Sequence, residues 1–246
     1  MNALIFAAGL GTRLKPLTDT MPKAMVPLDG KPLLQWLIEK LKGSGVTTIV
    51  INVHHFAQQI IDFVAQHDAF GLDIRFSDET DLLLETGGGL KQAARLFPDQ
   101  QPILLHNVDI LSDADLAAFY HSVLHTPGQP STLLVSQRQT QRYLLADKQG
   151  RLVGWTNIAT GQVKTPYSQL DVAACQKVAF SGIQIFNPQL LPLMEEWKGK
   201  FSIIDFYLSI CDKADIRLQL NPDLHLLDVG KLDSIAQAEV FLNGKR

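Results

Sequence analysis

The stretch that most constrains this chain is its opening run, Leu4-Ile5-Phe6-Ala7-Ala8-Gly9-Leu10-Gly11-Thr12-Arg13-Leu14-Lys15-Pro16-Leu17-Thr18. An apolar segment of strand character ends in small residues and glycines, then turns cationic and hydroxylic within a few positions. Gly9 and Gly11 carry no Cβ, so the backbone can turn sharply there and bring N–H groups close to an anion. Arg13 and Lys15 add charge, Arg13 as a planar fork matched to phosphate oxygens. Two glycines alone would describe an ordinary strand-to-helix turn. The run is not a Walker loop, and the G-x-G-x-x-G spacing of dinucleotide folds fails because position 14 is leucine.

Downstream, the chain alternates. Pro32 opens a helical pattern through Leu33, Leu34, Leu37, Ile38 and Leu41 that Gly43 stops. Thr48–Val53 reads as a buried strand, Phe56, Ile60, Ile61 and Val64 as a second amphipathic helix, and Leu72–Phe76 as a further strand. This rhythm predicts an α/β fold with a parallel sheet and right-handed crossovers. Gly87-Gly88-Gly89 then open a helix carrying Leu90, Ala93, Ala94 and Leu96, where bare backbone would admit a flat ligand; a flexible loop is the alternative. Pro102–His106 is a fourth strand, and Asp109 follows it on the side where open α/β sheets bind ligands. A solvated turn or a helix cap would also use an aspartate there, although Ser112 or Asp113 is better positioned to cap the helix expected over 114–124. Beyond Pro127 come strands at Thr132–Ser136, Arg142–Ala146 and Arg151–Thr156, the last two joined by a hairpin signal, and then Lys177–Phe186, with Gly182 marking a bulge or a backbone contact with ligand. Residues 157–176 read as an irregular loop. Ser202 caps a helix through Ile210, Ile216–Leu220 and Leu224–Leu227 are strands, and Asp228-Val229-Gly230 precedes a terminal helix through Phe241.

The whole string G-x-G-T-R-L-x-P-L-T followed by P-K-x-M-V-P-L-x-G-K-P-L-L, from Gly9 to Leu34, resembles the signature of the sugar-1-phosphate nucleotidyltransferases. The segments E-T-G-G-G at Glu85–Gly89 and F-S-G-I-x-I-F-x-P-x-L-L from Phe180 match the same family. Val108, where the family more often has Gly or Ala, and Lys231, where it usually has Thr, depart from the pattern. The resemblance implies a Rossmann-like mixed, mostly parallel sheet flanked by helices, of the glycosyltransferase-A-like nucleotidyltransferase type. It implies one domain over residues 1–246, with a nucleotide-binding half (1–125) and a sugar-binding half (126–246). Its substrates would be a nucleoside triphosphate and a sugar 1-phosphate. Ala7, Ala8, Gly9, Gly11, Thr12, Arg13, Lys23, Gly87 and Gly88 would form the nucleotide site; Arg13, Lys23 and Asp109 would act in catalysis. Glu85, Asn157 and Gly182 would face the sugar, and Asp109 with Asp228 would hold Mg²⁺, a hard cation suited to carboxylates and phosphate oxygens. Among sub-families, the N-acetylmuramate 1-phosphate uridylyltransferases of cell-wall recycling fit best. Mannose-1-phosphate guanylyltransferases share nearly the same strings.

With 246 residues, 46% of them hydrophobic and a net charge of −3, the chain can bury a sizeable core but has no electrostatic footprint for nucleic acid or an anionic membrane. No stretch approaches the roughly 18 apolar residues of a spanning helix, and no secretory signal opens the chain, so a cytoplasmic location is expected. Cys175 and Cys211 are too few for a disulfide framework and read as reduced, mostly buried thiols. His54-His55 reads as structural or solvent-facing, because a phosphate nucleophile needs no base. A binding module without turnover, or cytidylyl transfer to an alcohol phosphate, would use many of the same residues. The oligomeric state is open.

Overall fold

The computed structural model describes residues 1–243. In chain order its strands and helices are β1 (Asn2–Phe6), β2 (Pro27–Leu28), β3 (Lys31–Pro32), α1 (Leu33–Gly43), β4 (Thr48–Val53), α2 (Ala57–Gln66), β5 (Asp73–Asp78) and α3 (Glu85–Ala93). They continue with β6 (Ile103–Asn107), β7 (Ile110–Ser112), α4 (Leu116–Leu124), β8 (Ser131–Ser136), β9 (Arg142–Ala146), β10 (Leu152–Asn157) and β11 (Gln162–Lys164). The last are β12 (Gln176–Phe186), α5 (Ile203–Ile210), β13 (Ile216–Leu220), β14 (Leu226–Asp228) and α6 (Asp233–Asn243).

A mixed central sheet runs in the order β11-β10-β9-β12-β6-β1-β4-β5, with β8 branching from β12 and β13 lying beside β8. β6, β1, β4 and β5 are parallel, and β12 joins them antiparallel through Ile183–Phe186. The all-parallel half explains why β4 is β-branched at every position but Asn52: it is covered on both faces and every residue is buried. One apolar layer packs α1, α2 and α4 on the sheet, another packs α3 and α5 on the opposite face, and a third lies under the loop after β1, closed by α6. Antiparallel pairing of β14 with β7 sets Asp228 opposite Ile110, and the Val229 N–H donates to the Asp109 carbonyl at 2.8 Å. A strand from the far end of the sequence is thereby fastened beside the C-terminal end of β6.

Several expectations shift. The glycines lie inside α3 rather than ahead of it, and each packs too tightly against its neighbours to carry a side chain. The cap of α4 is Asp115, whose carboxylate accepts from the Ala118 N–H; Ser112 instead ends β7, and Asp113 accepts from the His225 N–H. Within 157–176 a short exposed strand, β11, pairs with β10. Cys211 is buried while Cys175 is partly exposed. No helix among the described residues is long and apolar enough to cross a membrane.

Candidate active site

Strand β1 delivers Ala7, Ala8 and Gly9 to a cleft of about 230 Å³ at the C-terminal ends of the parallel strands. Of the residues singled out from the sequence, Lys23, Glu85 and Asp109 line it as well. The loop after β1 folds into short 3-10 turns whose sharpest point is Gly11, at φ +63°. A Cβ on Gly11 would lie 2.9 Å from Thr18 and 3.0 Å from Lys23, so only glycine fits between the two sides of this loop. Thr18 fastens it by donating its hydroxyl to the Gly11 carbonyl at 2.9 Å. Gly9 has a different reason: nothing lies within 4 Å of its missing side chain, which keeps the mouth of the cleft open.

Asn52 engages the amides that precede Gly9. Its side-chain oxygen accepts from the Ala7 N–H at 2.6 Å and the Ala8 N–H at 3.2 Å, so both donors are satisfied within the protein. The Asn52 amide nitrogen donates in turn to Glu79, whose second oxygen accepts from the Leu84 N–H at 2.9 Å. Asn52 and Glu79 both line the cleft, and neither was singled out in the sequence. A lone amide in the apolar run of β4 was the available signal. Burial holds the Glu79 carboxyl above its ordinary range, with the bonds from Leu84 and Asn52 opposing that shift. His54 serves this network by bonding the Glu79 carbonyl through Nδ1 at 2.6 Å.

At the other wall Lys23, only 9% exposed, forms an ion pair with Asp109. Asp228 lies within hydrogen-bonding reach of Asp109; burial first and the neighbouring Asp109 charge second push its carboxyl upward, against the pull of Lys23 and Arg13. Arg13 reaches the same corner: a Cβ on Gly230 would lie 2.6 Å from an Asp228 oxygen and 2.9 Å from the Arg13 guanidinium. Two carboxylates this close, with Asp228 held against its charged form, make a hard oxygen site whose repulsion a divalent cation would offset, so the pair fits Mg²⁺. Among the described residues no group of three or more His, Cys, Asp or Glu side chains gathers anywhere, and this site would rely on substrate phosphates for further ligands.

Gly87, Gly88, Gly182, Asn157 and Thr12 lie apart from the cleft lining. Gly87 and Gly88 face Phe201 and the Gly199 carbonyl, where a Cβ would come within 2.4 and 2.5 Å. Gly182, at φ +80° in the bulge of β12, backs against the Asn107 amide, and Asn107 itself lines the cleft. Asn157 accepts from the Ala159 N–H in its own turn. Thr12 is exposed on the first 3-10 turn. Glu85 has a left-handed backbone, φ +59°, and pairs with Lys200 at 3.4 Å.

A mixed α/β sheet with a glycine loop, a buried lysine and paired carboxylates at its carboxyl edge defines a class of phosphate-handling enzyme. The chain belongs to the nucleotidyl transferase family, whose model matches residues 2–245, and it is an enzyme of that class. It is similar to an N-acetylmuramate alpha-1-phosphate uridylyltransferase of Neisseria meningitidis serogroup B, 34% identical over 79% of each chain. It is also similar to a mannose-1-phosphate guanyltransferase of Eremothecium gossypii, 30% identical over 99% of this chain and 65% of that one. The chain thus spans about two thirds of the length of the second relative. Among solved structures, HddC from Yersinia pseudotuberculosis complexed with GMP-PN superposes with a TM-score of 0.75 at 23% identity, covering 98% and 99% of the two chains, and shares the fold.

Proposed function

We propose that this chain transfers a nucleotidyl group from a nucleoside triphosphate to a sugar 1-phosphate, releasing pyrophosphate, with UTP and N-acetylmuramate 1-phosphate as the natural pair. The observation that carries the reading is the convergence of Lys23, Asp109, Asp228 and Arg13 beside the open Gly9 loop. A phosphate monoester oxygen attacks the α-phosphorus, its P–O bond forms, and the bond to the leaving pyrophosphate breaks. The monoester is largely dianionic near neutral pH, its second pKa being about 6, so the attack requires no general base.

The protein's task is positioning and charge neutralisation. Lys23 would meet the α-phosphoryl group from a desolvated position, and Arg13 would hold the departing β,γ-phosphates. Asp109 and Asp228 would hold Mg²⁺, which when bound supplies charge stabilisation and lines up the phosphate oxygens. Ala7, Ala8 and Gly9 would frame base and ribose on a loop that Asn52 keeps rigid, and Glu85 would face the sugar. The similarity to the Neisseria uridylyltransferase supports UTP and N-acetylmuramate 1-phosphate; the guanylyl alternative with mannose 1-phosphate rests on the Eremothecium relative.

Pyrophosphate release with Mg²⁺ across UTP, GTP, CTP and dTTP, paired with N-acetylmuramate, mannose, glucose and N-acetylglucosamine 1-phosphates, tests both levels. Turnover confined to UTP with N-acetylmuramate 1-phosphate is the expected result. Turnover with another pair reassigns the substrate, and silence across the grid with nucleotide still binding overturns the reaction.

A further inference from the structure

A second cavity, of about 390 Å³, opens across Thr86 from the cleft, between the β8–β9 connection, β12 and the start of α5. The two spaces share a wall. Thr86 lines the cleft and accepts on its hydroxyl from the Ile203 N–H at 3.1 Å, while Ser202 and Ile204, on either side of that residue, line the cavity. Phe180 of the cavity is two residues from Gly182, which backs onto Asn107 of the cleft. The cavity therefore adjoins the cleft that holds Lys23 and Asp109.

The charge of the cavity is unbalanced. Arg138, Arg142 and Lys164 line it together with the carboxylate of Asp205. Lys164 is already matched, donating to Asp205 at 2.7 Å. That leaves two guanidinium groups without a carboxylate partner among the described residues; Arg138 donates only to the Phe180 carbonyl at 3.0 Å. Trp155, Leu144 and Phe180 add apolar wall, which lowers the local dielectric and strengthens any ion pair made there. A planar guanidinium is matched to a carboxylate in two-pronged geometry. A neutral hexose would leave both cations unanswered beside an apolar surface.

We propose that this cavity is the acceptor-specificity subsite, and that Arg138 and Arg142 select a sugar 1-phosphate carrying a second anion, a carboxylate on the sugar. The inference deepens the function proposed above and rests on it for the location of the sugar. The lactyl ether of N-acetylmuramate supplies such a carboxylate, and a uronic acid supplies one by another attachment; the shared chemistry is a carboxylated pyranose 1-phosphate.

The test compares kcat/KM within two pairs of acceptors that differ by the carboxylate: N-acetylmuramate against N-acetylglucosamine 1-phosphate, and glucuronate against glucose 1-phosphate. For the wild-type enzyme the carboxylated member is expected to be favoured by about 10- to 100-fold in at least one pair, the range of one or two charge-assisted bonds at a partly exposed site. The variant Arg138→Ala/Arg142→Ala is expected to bring that ratio near unity, mainly through KM. Arg142→Gln alone gives an intermediate ratio and serves if the double variant folds poorly. A ratio that survives the double substitution overturns the subsite while leaving the reaction standing, including the case in which both acceptors weaken together because the arginines hold the phosphate common to both. Preference for glucuronate 1-phosphate with no use of N-acetylmuramate 1-phosphate keeps the subsite and overturns the proposed natural substrate. A wild-type enzyme confined to neutral acceptors overturns both.

Discussion

Asn52 shows how much one side chain can organise. It accepts from two successive backbone amides of the glycine loop and donates to a buried carboxylate that itself receives the Leu84 N–H, so one amide couples the loop after β1 to the segment leading into α3. Asn52→Ala strands two amides and one carboxylate oxygen away from water at once. Loss of roughly 2–4 kcal/mol of unfolding free energy is expected, because buried groups left unpaired lose more than an average hydrogen bond contributes. The nucleotide KM should rise alongside. Denaturant midpoints and steady-state kinetics check the two separately, and a variant with wild-type stability would remove Asn52 from this role. None of this was legible in the sequence. Asn52 interrupts an apolar strand, which is visible, but its partners lie 45, 44, and 27 positions away and only the fold brings them together. Lys23 and Asp109 were legible because motif and strand-end position each pointed to them; their ion pair, across 86 positions, was not.

At the scale of elements, the glycines of α3 illustrate the same limit from the other direction. Three in a row signalled close approach, and close approach is what α3 makes, but to the 199–201 segment and to Glu79. Gly88→Ala should gain about 1 kcal/mol in helix propensity and lose more through collision with the Gly199 carbonyl, for a net destabilisation of about 1–3 kcal/mol. Gly43→Ala in α1, with nothing within 4 Å of the added methyl, should be neutral or slightly stabilising. Thermal melts of the two variants decide it, and equal behaviour would show that α3 can shift to make room. The strands divide by burial: β4 and β13 agree with the sequence pattern to the residue, whereas β11 is three exposed residues, too short for a periodicity to show. Strand β6 also carries a titratable core residue. His106 is fully buried, its Nε2 is without a partner, and burial lowers its pKa to about 4 from an ordinary value near 6.5. A histidine with a depressed folded pKa stays neutral while the unfolded chain takes up a proton. Its contribution is therefore intact above about pH 6.5 and is lost as pH falls from there toward 4. The loss should reach about 3 kcal/mol at the acid end of that window. Urea unfolding at pH 7.5, 6 and 5 should show this slope in the wild type and a shallower one in His106→Leu; parallel slopes would mean that other groups carry the acid sensitivity.

For the whole molecule, the site exists only because the two ends of the chain meet. Asp109 follows the fourth strand of the parallel half, Asp228 ends β14, and the β7–β14 ladder together with the bond from Val229 to Asp109 fixes their approach. The fold accepts a cost for this: an acidic pair with Asp228 held above its ordinary pKa, only partly offset by Lys23 and Arg13. Asp228→Asn should therefore act in opposite directions on stability and activity. Without metal, replacing the disfavoured charge by an amide relieves the repulsion with Asp109, and Tm should rise at pH 7, with the difference from wild type shrinking as acid protonates Asp228 in the wild type. With Mg²⁺ and nucleotide present, the wild type should gain stability by mass action and the variant should gain much less. Turnover should fall by two or more orders of magnitude, the usual scale when a preorganised charge contact to a phosphoryl group is removed. Melting curves with EDTA, with Mg²⁺, and with Mg²⁺ plus nucleotide, run beside pyrophosphate release, separate these effects. If Asp228→Asn instead lowers the metal-free Tm while keeping the full Mg²⁺ response, the two carboxylates are a structural contact of the β7–β14 seam, and the cation must be held by Asp109 with substrate oxygens alone.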